Sequence, residues 1–188
     1  MNPNQHINRL LLALNENLDN PAFIQHDLSH TKTDQFFTCI PALILTSLEH
    51  TPKTAELNKV GTKCLRLLQS QQGSRFSYTL NKTQSYPFDI DDTSVALLAK
   101  WSWKQTLTST DLFQCLQDLI QLESVPGGPY RTWLVNTEDQ HWQDIDPVVN
   151  LNIGRFLACI DLLPKSLLDF LITTWSSQAS SRYYPNHV

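Results

Sequence analysis

The sequence predicts an all-α protein built as an open array of helical hairpins. Three observations predict it: aromatic loop residues recur at a constant interval, an amphipathic segment precedes each of them, and a more uniformly apolar segment follows most of them. Such recurrence is typical of repeat proteins, in which each unit packs on its neighbours. We expect a single domain over residues 1–188, with repeat units at approximately 4–50, 52–105 and 108–163 and a partial unit at 164–188.

The repeat interval is set by four loop segments that resemble one another, NPAF, QGSRFSY, GGPYRTW and SSRYYP. Their aromatic anchor residues lie 53, 54 and 53 residues apart, at Phe23, Phe76, Tyr130 and Tyr183. Because the three intervals agree within one residue, we interpret the segments as copies of one structural unit.

An amphipathic outer helix is predicted before each anchor, because apolar residues recur there with a 3.6-residue period. One face of each helix should pack on the core, and the polar face should meet solvent. Pro52 and Pro164 suit the first turns of their helices, where no backbone N–H is needed, and Thr108 or Ser109 can cap the third helix. The residues on the four predicted faces are Ile7, Leu10, Leu11, Leu14 and Leu18, then Leu57, Val60, Cys64, Leu67 and Leu68, then Leu112, Leu116, Leu119, Ile120 and Glu123, and finally Leu167, Leu168, Leu171 and Trp175.

A more uniformly apolar inner helix is predicted after each of the first three anchors. These helices begin at Asp34, Asp91 and Asp146 and read DQFFTCIPALILTSL, DDTSVALLAKWSW and DPVVNLNIGRFLACIDLL. Because they are apolar nearly all round, we expect them to be buried on most sides. Asn150 has no propensity reason to lie in such a helix, so we expect it to hydrogen-bond across to a loop or to line a cavity. For Asp146, capping with Pro147 at the first helical position is a sufficient explanation.

The array is predicted to be open at its C-terminal end. Four outer and three inner helices make about seven main helices, and an array of hairpins needs its last apolar face covered. Either the chain is a piece of a longer one, or a partner protein or a second copy of the chain, in a homo-oligomer, covers that end.

Composition and charge exclude several classes of partner. The net charge is −4 and Lys and Arg form no cluster, which argues against nucleic acid and anionic membrane surfaces. No apolar run approaches the ~20 residues that a membrane-spanning helix needs. The four cysteines lie in apolar segments without a CxxC pair, which favours buried reduced thiols and a cytoplasmic protein; they are Cys39, Cys64, Cys115 and Cys159. We predict no metal site and no cofactor.

Three aspartates crowd the start of the second inner helix, in the stretch YPFDIDDTSVALLAKW at residues 86–101. One hypothesis is helix capping, with Asp91 or Asp92 accepting from backbone N–H groups and the other acids tying down the preceding loop. Capping also accounts for Asp34 and Asp146, but it does not explain why only the middle copy carries three acids. The other hypothesis is a carboxyl group that faces a ligand or donates a proton.

The segment RFSYTLNKTQSYPFDIDDTSVAL resembles the region around the DxDDTA motif of squalene–hopene cyclases and class II diterpene cyclases. The shared order is an aromatic loop, a Tyr-Pro pair, the acidic cluster, and then Thr and a small residue that open an apolar helix. Gln69, Gly73 and Phe76 are also similar to the Gln…Gly…Trp repeat element of that family. The resemblance implies an (α/α) toroid, normally of about six hairpins, of which this chain supplies little more than half. Protein prenyltransferases share the toroid, but their zinc-binding Asp-x-Cys pair does not occur in this chain.

The same resemblance implies a chemistry for the acids. In those cyclases the middle acid of DxDD protonates an alkene or epoxide and starts a carbocation cascade. The matching position is Asp91, with Asp89 and Asp92 as neighbours that tune it. A free Asp has a pKa of ~3.9, so burial and like charges must keep such an acid protonated against the dipole of its helix. A hydrophobic isoprenoid ligand is expected to contact Tyr86, Phe88, Tyr130, Trp133 and Asn150.

The alternative function is a non-catalytic helical-repeat scaffold that binds a partner protein through its concave face or its open end. An apolar cavity of several hundred Å³ lined by Asp91, about the size of a small-ligand site, would favour the cyclase hypothesis. Three solvent-exposed capping acids would favour the scaffold.

Overall fold

The computed structural model describes residues 42, 45–46, 54–69, 74–76, 87–103, 107–136, 138–177 and 179–183. Five α-helices lie within these residues: α1 (Ala55–Gln69), α2 (Ile90–Ser102), α3 (Ser109–Leu122), α4 (Pro147–Cys159) and α5 (Lys165–Ser176). A 3₁₀ turn covers Gln140–Trp142, and two isolated β-bridges join single residues. The described part of the chain is therefore all-α, as predicted.

The helices α1 to α5 correspond to five of the predicted helices, in the predicted order. The first outer helix and most of the first inner helix lie outside the described residues. Of that inner helix only Ala42, Leu45 and Thr46 are described, and all three are helical and buried. The anchor Phe23 and the ligand-binding candidate Tyr86 also lie outside the described residues.

The inner helices α2 and α4 pack against each other, and each of them also packs against an outer helix. α3 contacts α2, and α5 contacts α4. Every α2 residue from Ile90 to Ala99 is buried, as its apolar composition predicts. The outer helix α1 buries a single face, formed by Leu57, Val60, Cys64, Leu65 and Leu68.

Capping sets where the described helices begin. Thr108 and Asp111 form a capping box at the start of α3, in which each side chain accepts from the backbone N–H of the other, at 3.0 and 3.1 Å. Asp146 caps α4 by accepting from two N–H groups of its first turn, with Pro147 at the first helical position. Both predicted caps are confirmed. Pro164 lies immediately before α5 rather than in its first turn.

Two outer helices expose apolar residues that the periodicity placed on their buried faces. Ile120 of α3 is 69% exposed, whereas Asp118 is fully buried. The cause is an ion pair that apolar periodicity does not reveal, because Arg75 donates to both carboxylate oxygens of Asp118. On α5, Leu168 and Trp175 are exposed because the apolar arc of this helix is wider than the part that packs on α4.

The described cysteines divide between core and surface, and Cys39 lies outside the described residues. Cys64 and Cys115 are buried, as predicted, and burial raises the pKa of each thiol to about 12, so both remain protonated. The prediction that Cys159 is buried is wrong, because it lies on the exposed side of α4 at the end of that helix. None of the helices in the described ranges is long and apolar enough to cross a membrane.

A glycine contact fastens α1 to the end of α2. A Cβ atom added to Gly61 would lie 2.1 Å from the indole ring of Trp103. The ring is held in place because its Nε1 donates to the Leu45 carbonyl at 2.9 Å. Gly61→Ala is therefore expected to lower the free energy of unfolding by about 1–3 kcal/mol, measured by thermal denaturation.

Gly154→Ala is the matched control for this overpacking prediction. Gly154 also lies in a helix, but its added Cβ would meet a flexible end of Leu171 at 3.1 Å. Because alanine favours helix over glycine by roughly 1 kcal/mol, we expect little change or a small stabilisation. Equal melting temperatures for the two variants would contradict the prediction.

Candidate functional site

The three adjacent acids are all buried at the start of α2. Asp89, Asp91 and Asp92 are each less than a tenth exposed. Asp89 is the cap: its Oδ1 accepts from the Asp92 backbone N–H at 2.6 Å, and its own backbone is extended. The helix therefore begins at Ile90, and the expectation that the helix starts at Asp91, with Asp91 or Asp92 as its cap, is wrong.

Asp89 becomes the cap because a distant loop holds the chain before it in an extended conformation. The N–H of Leu134 donates to the Phe88 carbonyl at 2.8 Å, and the N–H of Ile90 donates to the Thr132 carbonyl at 3.0 Å. These two bonds fix the extended segment up to Asp89, so the helix can start only after it. Local capping propensity does not reveal this pairing, because its partners lie more than forty residues apart.

The cap position determines which residues of the two inner helices correspond. Four residues after its cap, α2 has Thr93 and α4 has Asn150. Thr93 Oγ1 accepts from the N–H of Phe76 at 3.0 Å, and Asn150 Oδ1 accepts from the N–H of Tyr130 at 2.8 Å. Each polar side chain thus fastens an aromatic anchor loop to an inner helix. The first acid of the cluster, not the middle one, therefore corresponds to Asp146.

Asn150 hydrogen-bonds across to a loop, which is one of the two roles expected for it. Its Nδ2 donates to the carbonyls of Tyr130 at 2.9 Å and of Asp146 at 3.0 Å. Both amide protons are therefore used within the protein, and a ligand contact would be limited to the remaining lone pair of Oδ1.

Asn152 joins the acid cluster to the neighbouring inner helix. Its Nδ2 donates to Asp91 Oδ1 at 2.9 Å, and both side chains are buried. The unprotonated oxygen of a carboxyl group is the better acceptor for an amide N–H, which favours Oδ2 as the oxygen that carries a proton on Asp91. Sequence analysis missed Asn152, although the signal that singled out Asn150, an amide within an apolar helix, applies to it equally.

Burial controls the electrostatics of the cluster. It raises the pKa of Asp89 to about 7; the Asp92 side chain partly offsets this rise, and the charge of Asp91 adds to it. At neutral pH a large fraction of the molecules therefore holds a proton on this carboxyl group. The three acids act as a coupled group, so a proton retained at one of them changes the charge that the other two experience.

Trp133 places a group of aromatic side chains beside the acids. It forms a β-bridge with Asp89, and its ring meets Trp142 edge-on with centroids 4.7 Å apart. Its Nε1 donates to the Tyr183 hydroxyl at 2.8 Å, and that hydroxyl donates to Asp144 Oδ2 at 2.8 Å. Burial raises the pKa of Tyr183 to about 12, which keeps it a neutral donor. Tyr183 was predicted only as a repeat anchor, and its hydrogen bond to Trp133 spans fifty residues.

The other predicted ligand-binding aromatics divide between surface and core. Phe88 is exposed directly before the cap of α2. Tyr130 is buried, and burial together with the charge of Glu123 raises its pKa to about 12. The structure thus brings Phe88 and Trp133 to the acids through their paired backbone segments, whereas the backbone of Tyr130 is fastened to Asn150 of α4.

An open cleft of about 470 Å³ lies near this region, a size that small-molecule sites commonly have. Its lining is largely polar and consists of Arg75, Gln121, Leu122, Leu134, Val135, Asn136 and Asp139. Leu134 connects the cleft to the site, since its backbone binds Phe88. The three acids line neither this cleft nor the smaller one between α4 and α5.

Among the residues that the structure describes, no group of three or more His, Cys, Asp or Glu is arranged to hold a metal ion. Comparison of the chain with known protein families, with characterised proteins and with solved structures finds no match. The resemblance to terpenoid cyclases therefore rests on the motif residues themselves.

Proposed function

We propose that this chain is a repeat domain of the terpenoid cyclase type, part of an (α/α) toroid, in which Asp91 donates a proton to an isoprenoid. The observation that carries the proposal is the burial of all three DIDD acids at the start of an inner helix. Exposed capping acids would have favoured a scaffold instead, whereas a cavity lined by Asp91, which neither of the two clefts provides, would have been direct support for a ligand. The raised pKa of Asp89, about 7, supports the proposal because burial at this helix start disfavours an ionised carboxyl group, and Asp91 is buried at the same place.

The proposed step is a proton transfer from Asp91 Oδ2 to an alkene. The O–H bond breaks, a C–H bond forms from the π electrons of the alkene, a carbocation results, and Asp91 is left as a carboxylate. The Asn152 N–H and the positive end of the α2 dipole both stabilise that carboxylate. Phe88 and Trp133 are the aromatic residues beside the cluster, and the faces of their rings can stabilise the cation.

Turnover of squalene or geranylgeranyl diphosphate by the purified chain, analysed by gas chromatography with mass spectrometry, tests this function. Wild type is expected to form cyclic products, and Asp91→Asn is expected to lose about 10²–10⁴-fold in kcat, the usual contribution of a general acid. The substitution preserves shape and polarity but removes the transferable proton.

Glu138→Gln is the control, because Glu138 is an exposed acid outside the cluster and should retain wild-type turnover. Absence of turnover by wild type with both substrates, or undiminished turnover by Asp91→Asn, would refute the proposed function.

A further inference from the structure

The side chains of Trp133 and Asp89 leave their backbone segments on the same face. The two residues form an antiparallel β-bridge, and the hydrogen bonds around it are made by the residues on either side of each. In such a non-hydrogen-bonded pair the Cβ atoms lie ~4.5–5.5 Å apart. Both side chains are buried. The backbone therefore holds the Trp133 indole next to the first acid of the cluster.

A chain of hydrogen bonds holds the polar edge of this indole. Its Nε1 donates to the Tyr183 hydroxyl, and that hydroxyl donates to Asp144 Oδ2, both at 2.8 Å. A tyrosine hydroxyl has a single proton, so donating it to the carboxylate turns an oxygen lone pair toward the indole N–H. Thr132 Oγ1 donates to the same Asp144 oxygen at 3.0 Å and fixes the carboxylate in turn.

The segment that carries Tyr183 is fastened by bonds that do not involve this hydroxyl. Ser181 Oγ donates to the Asp146 carboxylate, and the Arg182 N–H donates to Asp146 Oδ2 at 2.6 Å. The Tyr183 ring meets the Trp133 ring edge-on, with centroids 6.0 Å apart, a contact that a phenylalanine ring can also make. Removing the hydroxyl alone therefore releases the indole N–H while the segment stays in place.

We propose that Tyr183 is a positioning residue for the proton-transfer reaction: its hydroxyl holds the Trp133 indole beside the acids, in the orientation that stabilises the carbocation. The inference rests on the proposed function. A cation is attracted to the face of an indole within about 6 Å of the ring centroid, so the orientation of the ring decides how much it contributes. Because the acceptor of the indole N–H is itself bonded to a carboxylate, the polarised chain also enriches the ring in electrons.

A double-mutant cycle tests the inference with the substrate that the wild type cyclises. Tyr183→Phe is expected to lower kcat roughly 2- to 30-fold, the range that loss of a cation–π contact gives, and to leave KM nearly unchanged. In a Trp133→Phe chain the same change should lower kcat no further, because phenylalanine has no N–H for the hydroxyl to hold. A residue that only supports the fold would lower kcat equally in both backgrounds.

The indole N–H resonance of Trp133 in an NMR spectrum gives a second measurement, which does not require turnover. The Trp133→Phe variant identifies this resonance, and Tyr183→Phe is expected to shift it because the hydrogen bond is lost. Thr174→Val is the matched control: it removes a hydroxyl group of α5 that bonds the Phe170 carbonyl at 2.9 Å, away from Trp133. It should leave both kcat and the Trp133 resonance unchanged.

Several outcomes would overturn the role of Tyr183 and leave the proposed function standing. They are wild-type turnover with an unchanged kcat in Tyr183→Phe, an equal loss of kcat in both backgrounds, and a Trp133 resonance that Tyr183→Phe does not move. A loss of kcat in Thr174→Val as large as that in Tyr183→Phe would also count against it. Absence of turnover by the wild type would overturn the proposed function and this inference together.

Discussion

Arg75→Met is expected to lower the free energy of unfolding by about 2–4 kcal/mol, less than the loss for a fully buried ion pair because the Arg75 side chain is 38% exposed. The Asp118 side chain is fully inaccessible, and Arg75 donates to its two oxygens at 2.8 and 2.6 Å. The same bonds raise the pKa of Arg75 above its ordinary value. Without the guanidinium, the side-chain donor that remains to the buried carboxylate among the described residues is a neutral one, the Gln114 amide at 2.9 Å. Denaturation by urea, followed by circular dichroism, measures the loss.

The double variant Arg75→Met, Asp118→Leu separates loss of attraction from the penalty of an uncompensated charge. Replacing both partners by apolar groups removes the buried charge, so most of the lost stability should return. Lys165→Met is the control for a surface pair, because Lys165 and Asp169 are both exposed and their pair should contribute less than about 1 kcal/mol. Equal losses for Arg75→Met and Lys165→Met would contradict the prediction.

The ion pair of Arg75 is also a polar contact that joins different elements of the apolar helical array. Arg75 precedes the anchor Phe76, whose backbone N–H donates to Thr93 of α2. Its guanidinium reaches α3 through Asp118. The loop thus connects an inner helix to an outer one, and the aromatic anchor between them is almost completely buried.

The sequence predicted the order of the helices well because that order follows from local patterns. The alternation of amphipathic and uniformly apolar segments, together with the caps Thr108 and Asp146, depends on residues within one helix or its first turn. The structure agrees with these predictions for α1 to α5.

The errors have a common physical cause, which is contact between residues far apart in the chain. Asp89 caps α2 because a loop more than forty residues later holds the preceding segment. Ile120 faces solvent because α3 turns Asp118 inward to meet Arg75, 43 residues away. Asn152 reaches Asp91 over 61 residues. Periodicity and capping rules describe neighbours in sequence, so they cannot supply such partners.

The two hypotheses for the acidic cluster are reconciled by giving its members different roles. Asp89 performs the capping, while Asp91 is held from α4 by Asn152. Because the extended segment ends at the first acid, the middle acid is the second residue of the helix. At that position it faces the neighbouring inner helix. Capping therefore accounts for the first acid only, and the proposed protonation assigns a role to the middle one.

Asp89→Asn is expected to stabilise the protein at pH 8 and to stabilise it much less at pH 5. The pKa of Asp89 is raised to about 7 by burial, above the value of ~3.9 in an unfolded chain. Between these two values the folded state binds more protons than the unfolded state, so stability falls as pH rises and levels off above about pH 7. Asparagine caps helices as well as aspartate does, and its Oδ1 can still accept from the Asp92 N–H, but it has no charge to bury.

The expected gain at pH 8 is roughly 1–3 kcal/mol, below the limit of about 4 kcal/mol that three pKa units would set. For a chain of this length that gain corresponds to several degrees in Tm, measured by thermal denaturation at pH 5, 6, 7 and 8. Asp139→Asn is the matched control, because Asp139 caps the 3₁₀ turn but is exposed, so burial does not penalise its charge. A difference in Tm between wild type and Asp89→Asn that stays constant with pH would show that Asp89 does not hold a proton in the folded protein.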